Sequence, residues 1–142
     1  MNLKEIMEQV DQDIKVDKSV LDLESLRNPE LHNKYLKMFI MEGIALKKLY
    51  NQENRLLLEK TNYYSGKADP NVYKEKPFNI RVLKQDLDNY VNADVDMIAL
   101  RNRIIEQKAL VDYLSSVVDN INNRNWNIRN AVEFLKFKNG IN

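Results

Sequence analysis

Apolar residues along the chain fall at helical spacing, with polar text between them. Leu3, Ile6, Met7, Val10 and Ile14 predict a first amphipathic helix. Ser19, with Asp22 three residues on, resembles a capping arrangement and predicts a short helix through Leu21, Leu23 and Leu26. Asn28-Pro29 reads as a cap followed by a proline at the first helical position, so a long helix is expected from Pro29 to about Ser65. Gly43 is its only interior glycine, and Gly66 supplies a stop. Residues 66–77 read as a loop, punctuated by Gly66, Pro70 and Pro77. Phe78, Ile80 and Val82 alternate with polar residues, too briefly to separate a short strand at 78–82 from the start of a helix. A short helix through Leu83, Leu87, Tyr90 and Val91 is expected next, and Asp94 is placed to cap a second long helix.

That second helix carries the clearest period. Met97, Leu100, Ile104, Gln107, Val111, Leu114, Val118 and Ile121 alternate steps of three and four, the seam of a coiled coil. The phase continues formally through Asn125, Ile128, Val132 and Leu135. The Asn-rich text at 119–127 disfavours helix, which predicts a break near Asn125 and a last helix from about Asn127 to Lys138. Ile128, Val132 and Leu135 line one face of that last helix, flanked by Phe134 and Phe137. So short a helix must bury its stripe, on its own subunit or on a neighbour. The expectation is an all-α, elongated subunit with two long helices, one domain over 1–142.

Composition narrows the chemistry. The net charge of +1 excludes a uniformly basic nucleic-acid coat, yet the charge is blocked. Residues 1–30 and 85–121 are acidic, while residues 55–84 carry Arg55, Lys60, Lys67, Lys74, Lys76, Arg81 and Lys84 against Glu59, Asp69 and Glu75. There is no cysteine, hence no disulfide and no thiolate metal site, and the single histidine, His32, reads as a surface or interface residue. Asp86, Asp88, Asp94 and Asp96 lack the spacing and glycine of a calcium loop and read as solvated carboxylates with a helix cap. No glycine-rich phosphate cradle is present. No enzymatic template is met, and neither a metal nor a cofactor is expected. The acidic amphipathic start is unlike a signal peptide, and a cytoplasmic protein is expected.

The basic block has its own logic. Lys60, Tyr63, Tyr64 and Lys67 fall within one or two helical turns. Cations neutralise phosphates, and tyrosine rings stack on unpaired bases, so this end of the helix suits a single strand better than a duplex. The competing reading is a tyrosine packed on the core with solvated lysines around it.

Several motifs occur together in order: Asp13-x-x-x-Asp17, Leu23 and Glu24, Leu31-x-x-Lys34-Tyr35, Tyr63-Tyr64-Ser65-Gly66 after the basic Lys60, Arg124-x-Trp126-x-Ile128, and Phe137-x-x-Gly140. Their order and spacing resemble the UvsY family of recombination mediators of T-even-type bacteriophages, over nearly the whole chain. The resemblance implies a non-enzymatic helical subunit that closes into homo-oligomeric rings of about six or seven copies. It implies single-stranded DNA binding in the host cytoplasm, and loading of the phage recombinase onto DNA covered by the phage single-strand-binding protein. It implies DNA contact at basic residues before Tyr-Tyr-Ser-Gly. Lys60 matches one such position, whereas Leu58 stands where the family has a second, which leaves Arg55, Lys67, Lys74 or Lys76 to compensate. It implies oligomerisation through residues 122–142, with Ile128, Val132 and Leu135 as the contact stripe. The alternative is a coiled-coil adaptor or phage structural subunit acting through protein contacts only.

Overall fold

The structure, a computed structural model, describes residues 1–140. It is all-α: α1 is Leu3–Asp13, α2 Leu21–Tyr64, α3 Pro70–Glu75, α4 Leu87–Ala93 and α5 Val95–Lys138, with a 3-10 turn at Lys84–Asp86. The two long helices are present, and both are longer than the sequence pattern predicts. Among the described residues there is no strand, and 78–82 has no regular structure. The loop after Gly66 contains α3, started by Asp69, whose carboxylate accepts from the Asn71 amide at 2.9 Å, and by Pro70 at its first turn.

Two expected boundaries are absent. The helix expected to begin at Pro29 begins at Leu21 instead and runs through Pro29. Asn28 does not cap. Its side-chain amide donates to the Ile121 carbonyl at 2.8 Å, and its oxygen accepts from Arg124 at 3.2 Å. The expected break near Asn125 is also absent, because α5 continues to Lys138. Asn120, Asn122, Asn123, Asn125 and Asn127 are exposed, while Ile121, Arg124 and Ile128 are buried. Tertiary packing at those three positions outweighs the poor helix propensity of the asparagines.

The chain forms two compact units, residues 1–43 with 109 onward, and residues 44–108. In the first unit, α1, the start of α2 and the end of α5 enclose Ile6, Val10, Leu31, Tyr35, Leu110, Leu114, Val117 and Ile121. The buried positions of α5 there are 110, 114, 117, 121, 124 and 128, which places Leu110, Val117 and Arg124 in the seam where the heptad reading has Val111, Val118 and Asn125. A capping box starts α1: Asn2 Oδ1 accepts from the Glu5 amide, and the Glu5 carboxylate accepts from the Asn2 amide. Asp13, near its end, accepts from Lys34 at 2.6 Å and from the Tyr35 hydroxyl at 2.7 Å. Burial raises the Asp13 carboxyl, but these two donors and the Lys34 and Arg27 charges outweigh it and leave its pKa lowered.

Arg124 fills the seam with hydrogen bonds. Its Nε donates to the Ile14 carbonyl and its Nη2 to the Lys15 carbonyl, both just beyond α1. Its Nη1 donates to the Glu24 carbonyl and Asn28 Oδ1, and Nη2 donates also to the Glu24 carboxylate. The Arg124 side chain is 5% exposed and that of Glu24 11%. Deleting Arg124 leaves the buried Glu24 carboxylate with Arg27 alone, at 3.2 Å, and strands the Ile14, Lys15 and Glu24 carbonyls. Arg124→Ala is expected to cost about 3–5 kcal/mol of folding stability, read as a lower urea midpoint. A loss below about 1 kcal/mol, the value of a surface pair, would contradict this reading of the network.

Candidate functional site

The second unit, residues 44–108, holds the basic block and the paired tyrosines. Its long helical segments pack through Leu49, Leu100 and Ile104, with Leu46 and Leu56 against them. Arg101 reaches Glu53 at 3.2 Å and Asn92 at 2.7 Å. The helix then ends at Tyr64, and Gly66, at φ +80°, turns the chain out in the left-handed conformation that only glycine adopts without strain.

Tyr63 and Tyr64 enter a cluster of rings. Tyr63 stacks on Tyr73 at 5.5 Å between centroids, inclined by 15°. It meets Tyr64 edge-on at 5.0 Å. Phe78 touches both tyrosines, and Tyr90 closes the group against Tyr64 and Phe78. The hydroxyls are used as well. Tyr63 donates to the Lys76 carbonyl at 3.0 Å. Tyr73 donates to the Tyr63 carbonyl at 2.9 Å and accepts from the Ala68 amide at 3.2 Å. Tyr64 donates to Asp94 at 2.7 Å. These bonds fasten the segment after Gly66 back onto the end of α2.

Asp94 is the pivot. One carboxylate oxygen caps α5, as its position in the sequence predicts, accepting from the Asp96 and Met97 amides at 2.8 and 3.1 Å. The other accepts the Tyr64 hydroxyl and lies 3.3 Å from Lys60 Nζ. Lys60 Nζ also bonds Asp96 at 2.8 Å, and its side chain is only 11% exposed. Burial opposes the charged forms of Asp94 and Lys60. The hydrogen bonds and mutual attraction outweigh it, so the Asp94 pKa is lowered and that of Lys60 raised. Burial, and then the Asp94 hydrogen bond, push the Tyr64 hydroxyl up to about 12.

The sequence-predicted site residues thus separate. Lys60, Tyr63 and Tyr64 come together and line one cleft of about 560 Å³ with Lys76, Asp94 and Asp96. Lys67, Lys74 and Lys76 are exposed, and none is in an ion pair among the described residues. Arg55 is exposed and lines a different groove of about 370 Å³ with Glu59, Asp96 and Arg103. In the first unit, Ile128 is buried and borders a groove of about 560 Å³ with Leu21, Phe134 and Leu135. Val132 is half-buried, and Phe134, Leu135 and Phe137 are exposed. Trp126 is exposed too, with the Arg129 guanidinium 5.8 Å from its ring. Sequence reasoning missed Tyr73 and Tyr90 as members of the ring cluster and Asp96 as a partner of Lys60. Their aromatic and acidic character is visible, but nothing local ties them to residues 60–64.

Tyr64→Phe removes a hydroxyl bonded to a carboxylate and should lower stability by about 1.5–3 kcal/mol, measured by urea unfolding. Asp13 and Asp94 have lowered pKa values in the folded state, so their stabilisation is fully present above the unfolded carboxylate value. It is lost as pH falls through the folded values, below about 4. The thermal midpoint, followed by far-UV circular dichroism, should hold from about pH 7 to 5 and drop below about 4. Asp94→Asn should start lower and drop less.

Comparison with known proteins places this arrangement. The family described as "Recombination, repair and ssDNA binding protein UvsY" matches residues 9–141. The "Recombination protein uvsY" of Enterobacteria phage T4 is 22% identical over 140 residues, covering 99% of each chain. Two crystal structures of the bacteriophage T4 recombination mediator protein UvsY share the fold, with TM-scores of 0.86 and 0.75 at 23% and 20% identity. Each covers 97% of this chain and 98% of that one. With the family matched across almost all of its length, and with the helical fold shared as well, the chain belongs to the UvsY family of recombination and repair proteins.

Proposed function

We propose that this chain binds single-stranded DNA as a ring-shaped homo-oligomer and helps load the phage recombinase onto strands covered by single-strand-binding protein, in the host cytoplasm. The observation that carries the reading is the basic segment 55–84. In a member of this family, its exposed lysines stand without carboxylate partners among the described residues, around a fixed aromatic end of α2. Unpaired surface cations are the groups that exchange condensed counterions for phosphate contacts. The exposed apolar side chains Phe134, Leu135 and Phe137, beside Val132, support assembly through the end of α5. Ile128 is covered by its own subunit, so the stripe open to a neighbour begins at Val132.

The mechanism needs only binding energy. One basic segment holds a strand weakly, and a closed assembly presents many at high effective concentration. A strand held at several subunits gives up its earlier partners and is offered to the recombinase, with free energy supplied by differential binding. No helix among the described residues is long and apolar enough to cross a membrane.

The test pairs sedimentation velocity with strand binding at several salt concentrations. Leu135→Asp should lower the assembled mass while far-UV circular dichroism stays helical. Affinity for a long strand should fall by about a hundredfold or more, the loss expected when avidity disappears, and far more than for any single lysine substitution. An unchanged assembly would exclude the end of α5 as the contact. A wild-type protein that binds no single strand would leave a protein-only coiled-coil adaptor.

A further inference from the structure

The cation expected before the Tyr-Tyr-Ser-Gly motif is not available for phosphates. Lys60 spends its ammonium on Asp94 and Asp96, at 3.3 and 2.8 Å, with only 11% of its side chain exposed. A phosphate arriving there meets two carboxylates and must displace at least one. The neighbouring position, Leu58, is exposed and apolar. The residues directly ahead of the motif, 57–62, therefore offer a passing strand little free positive charge, and Arg55, exposed further back on the helix, opens onto a different groove.

The segment after the motif offers a good deal. Lys67, Lys74, Lys76, Arg81 and Lys84 are all exposed, and none is in an ion pair among the described residues. Between residues 67 and 84 only Asp69 and Glu75 oppose them, and Asp69 is committed to capping α3. The first part of the segment, through Phe78, is also fixed. Tyr63 holds the Lys76 carbonyl, Tyr73 holds the Tyr63 carbonyl, and the Lys67 amide donates to the Asn62 carbonyl at 2.8 Å. Cations carried on a fixed mount lose less freedom on binding than cations on a loose loop.

We infer that the strand is contacted by the segment 67–84, through Lys67, Lys74, Lys76, Arg81 and Lys84, and that Lys60 is a positioning residue. Lys60 acts through Asp94, whose carboxylate caps α5 with one oxygen and holds Tyr64 with the other. Tyr64 packs on Tyr63 and Phe78, and Tyr63 fixes the segment at Lys76. The inference rests on the single-strand binding proposed above and assigns the groups that perform it. Arg81 and Lys84 are the additions that neither spacing nor motif singles out.

The experiment measures affinity of the full chain for a fluorescent oligothymidylate over a series of salt concentrations. Arg81→Ala and Lys84→Ala, and Lys67→Ala and Lys74→Ala beside them, should each flatten the slope of log affinity against log salt by about 0.7 for each phosphate no longer neutralised. Lys60→Met keeps the aliphatic stem and removes the charge. It should weaken binding at every salt concentration with the slope unchanged, and Lys60→Arg should restore affinity. A slope flattened by Lys60→Met would make Lys60 a phosphate ligand and overturn its positioning role. Unchanged affinity in a less stable Lys60→Met protein would reduce Lys60 to a purely structural part and overturn that role equally. Wild-type slopes in all four segment variants would move the strand away from 67–84. Should Lys60→Met not fold, Asp96→Asn removes one of the two partners of Lys60 and keeps the Asp94 cap. A flatter slope there would mean that Asp96 orients Lys60 toward a phosphate, and would overturn the assignment, whereas an unchanged or steeper slope supports it, because the wild-type lysine is then the one held back. A wild-type protein that binds no oligothymidylate fails the proposed function itself, an outcome separate from all of these.

Discussion

Arg124 decides the shape of the first unit. A guanidinium carries five N–H donors in a rigid plane, and here all three nitrogens are spent. They satisfy the carbonyls that close α1, a carbonyl and a carboxylate near the start of α2, and the amide oxygen of Asn28. Burying that charge is tolerable only because every partner is in place. The end of α1 and the start of α2 meet at one side chain from the body of α5, which must stay helical through residue 124 to deliver it. The core of Ile6, Val10, Tyr35, Leu114 and Ile121 fills the space that this join defines.

The same arrangement explains what the sequence conceals. The cap of α5 is legible, because Asp94 bonds amides two and three residues ahead, and local chemistry needs only local text. The stop at Gly66 is legible for the same reason. The continuity of α5 is not. Asparagine-rich text disfavours helix, and the interactions that override it join Arg124 to residues 96 to 110 positions away. Asn28-Pro29 misleads in a related way: its letters match a helix start, but the Asn28 side chain is claimed by Ile121 and Arg124 across the core. The seam is legible in period and displaced in phase, since Leu110 and Val117 are buried where the pattern favours Val111 and Val118.

At the candidate site the residue types are legible and their allegiances are not. Lys60 announces a positive charge, but its carboxylates arrive 34 and 36 residues later, at the start of another helix. Tyr63 and Tyr64 announce two rings, but Tyr73, Phe78 and Tyr90 turn them into a cluster in which faces and hydroxyls are largely taken. A motif that offers a cation and two rings in one dimension also, in three, fastens the segment after Gly66 to the end of α2. The motifs that carry the resemblance behave alike: Asp13, Glu24, Tyr35 and Arg124 are joints of the fold.

The distribution of chromophores gives the chain one site-specific optical reporter and a second that is weighted toward one region. Trp126, the only tryptophan, is exposed on α5 beside Arg129, close in sequence to the apolar end of that helix. Tyr63, Tyr64, Tyr73 and Tyr90 sit in the other unit, around the basic segment. Excitation selective for the indole follows events at the end of α5, while tyrosine absorption fine structure, with four of the seven tyrosines in the ring cluster, is weighted toward that cluster. A change at the end of α5 is therefore readable in the unlabelled protein through a single indole, without adding a dye.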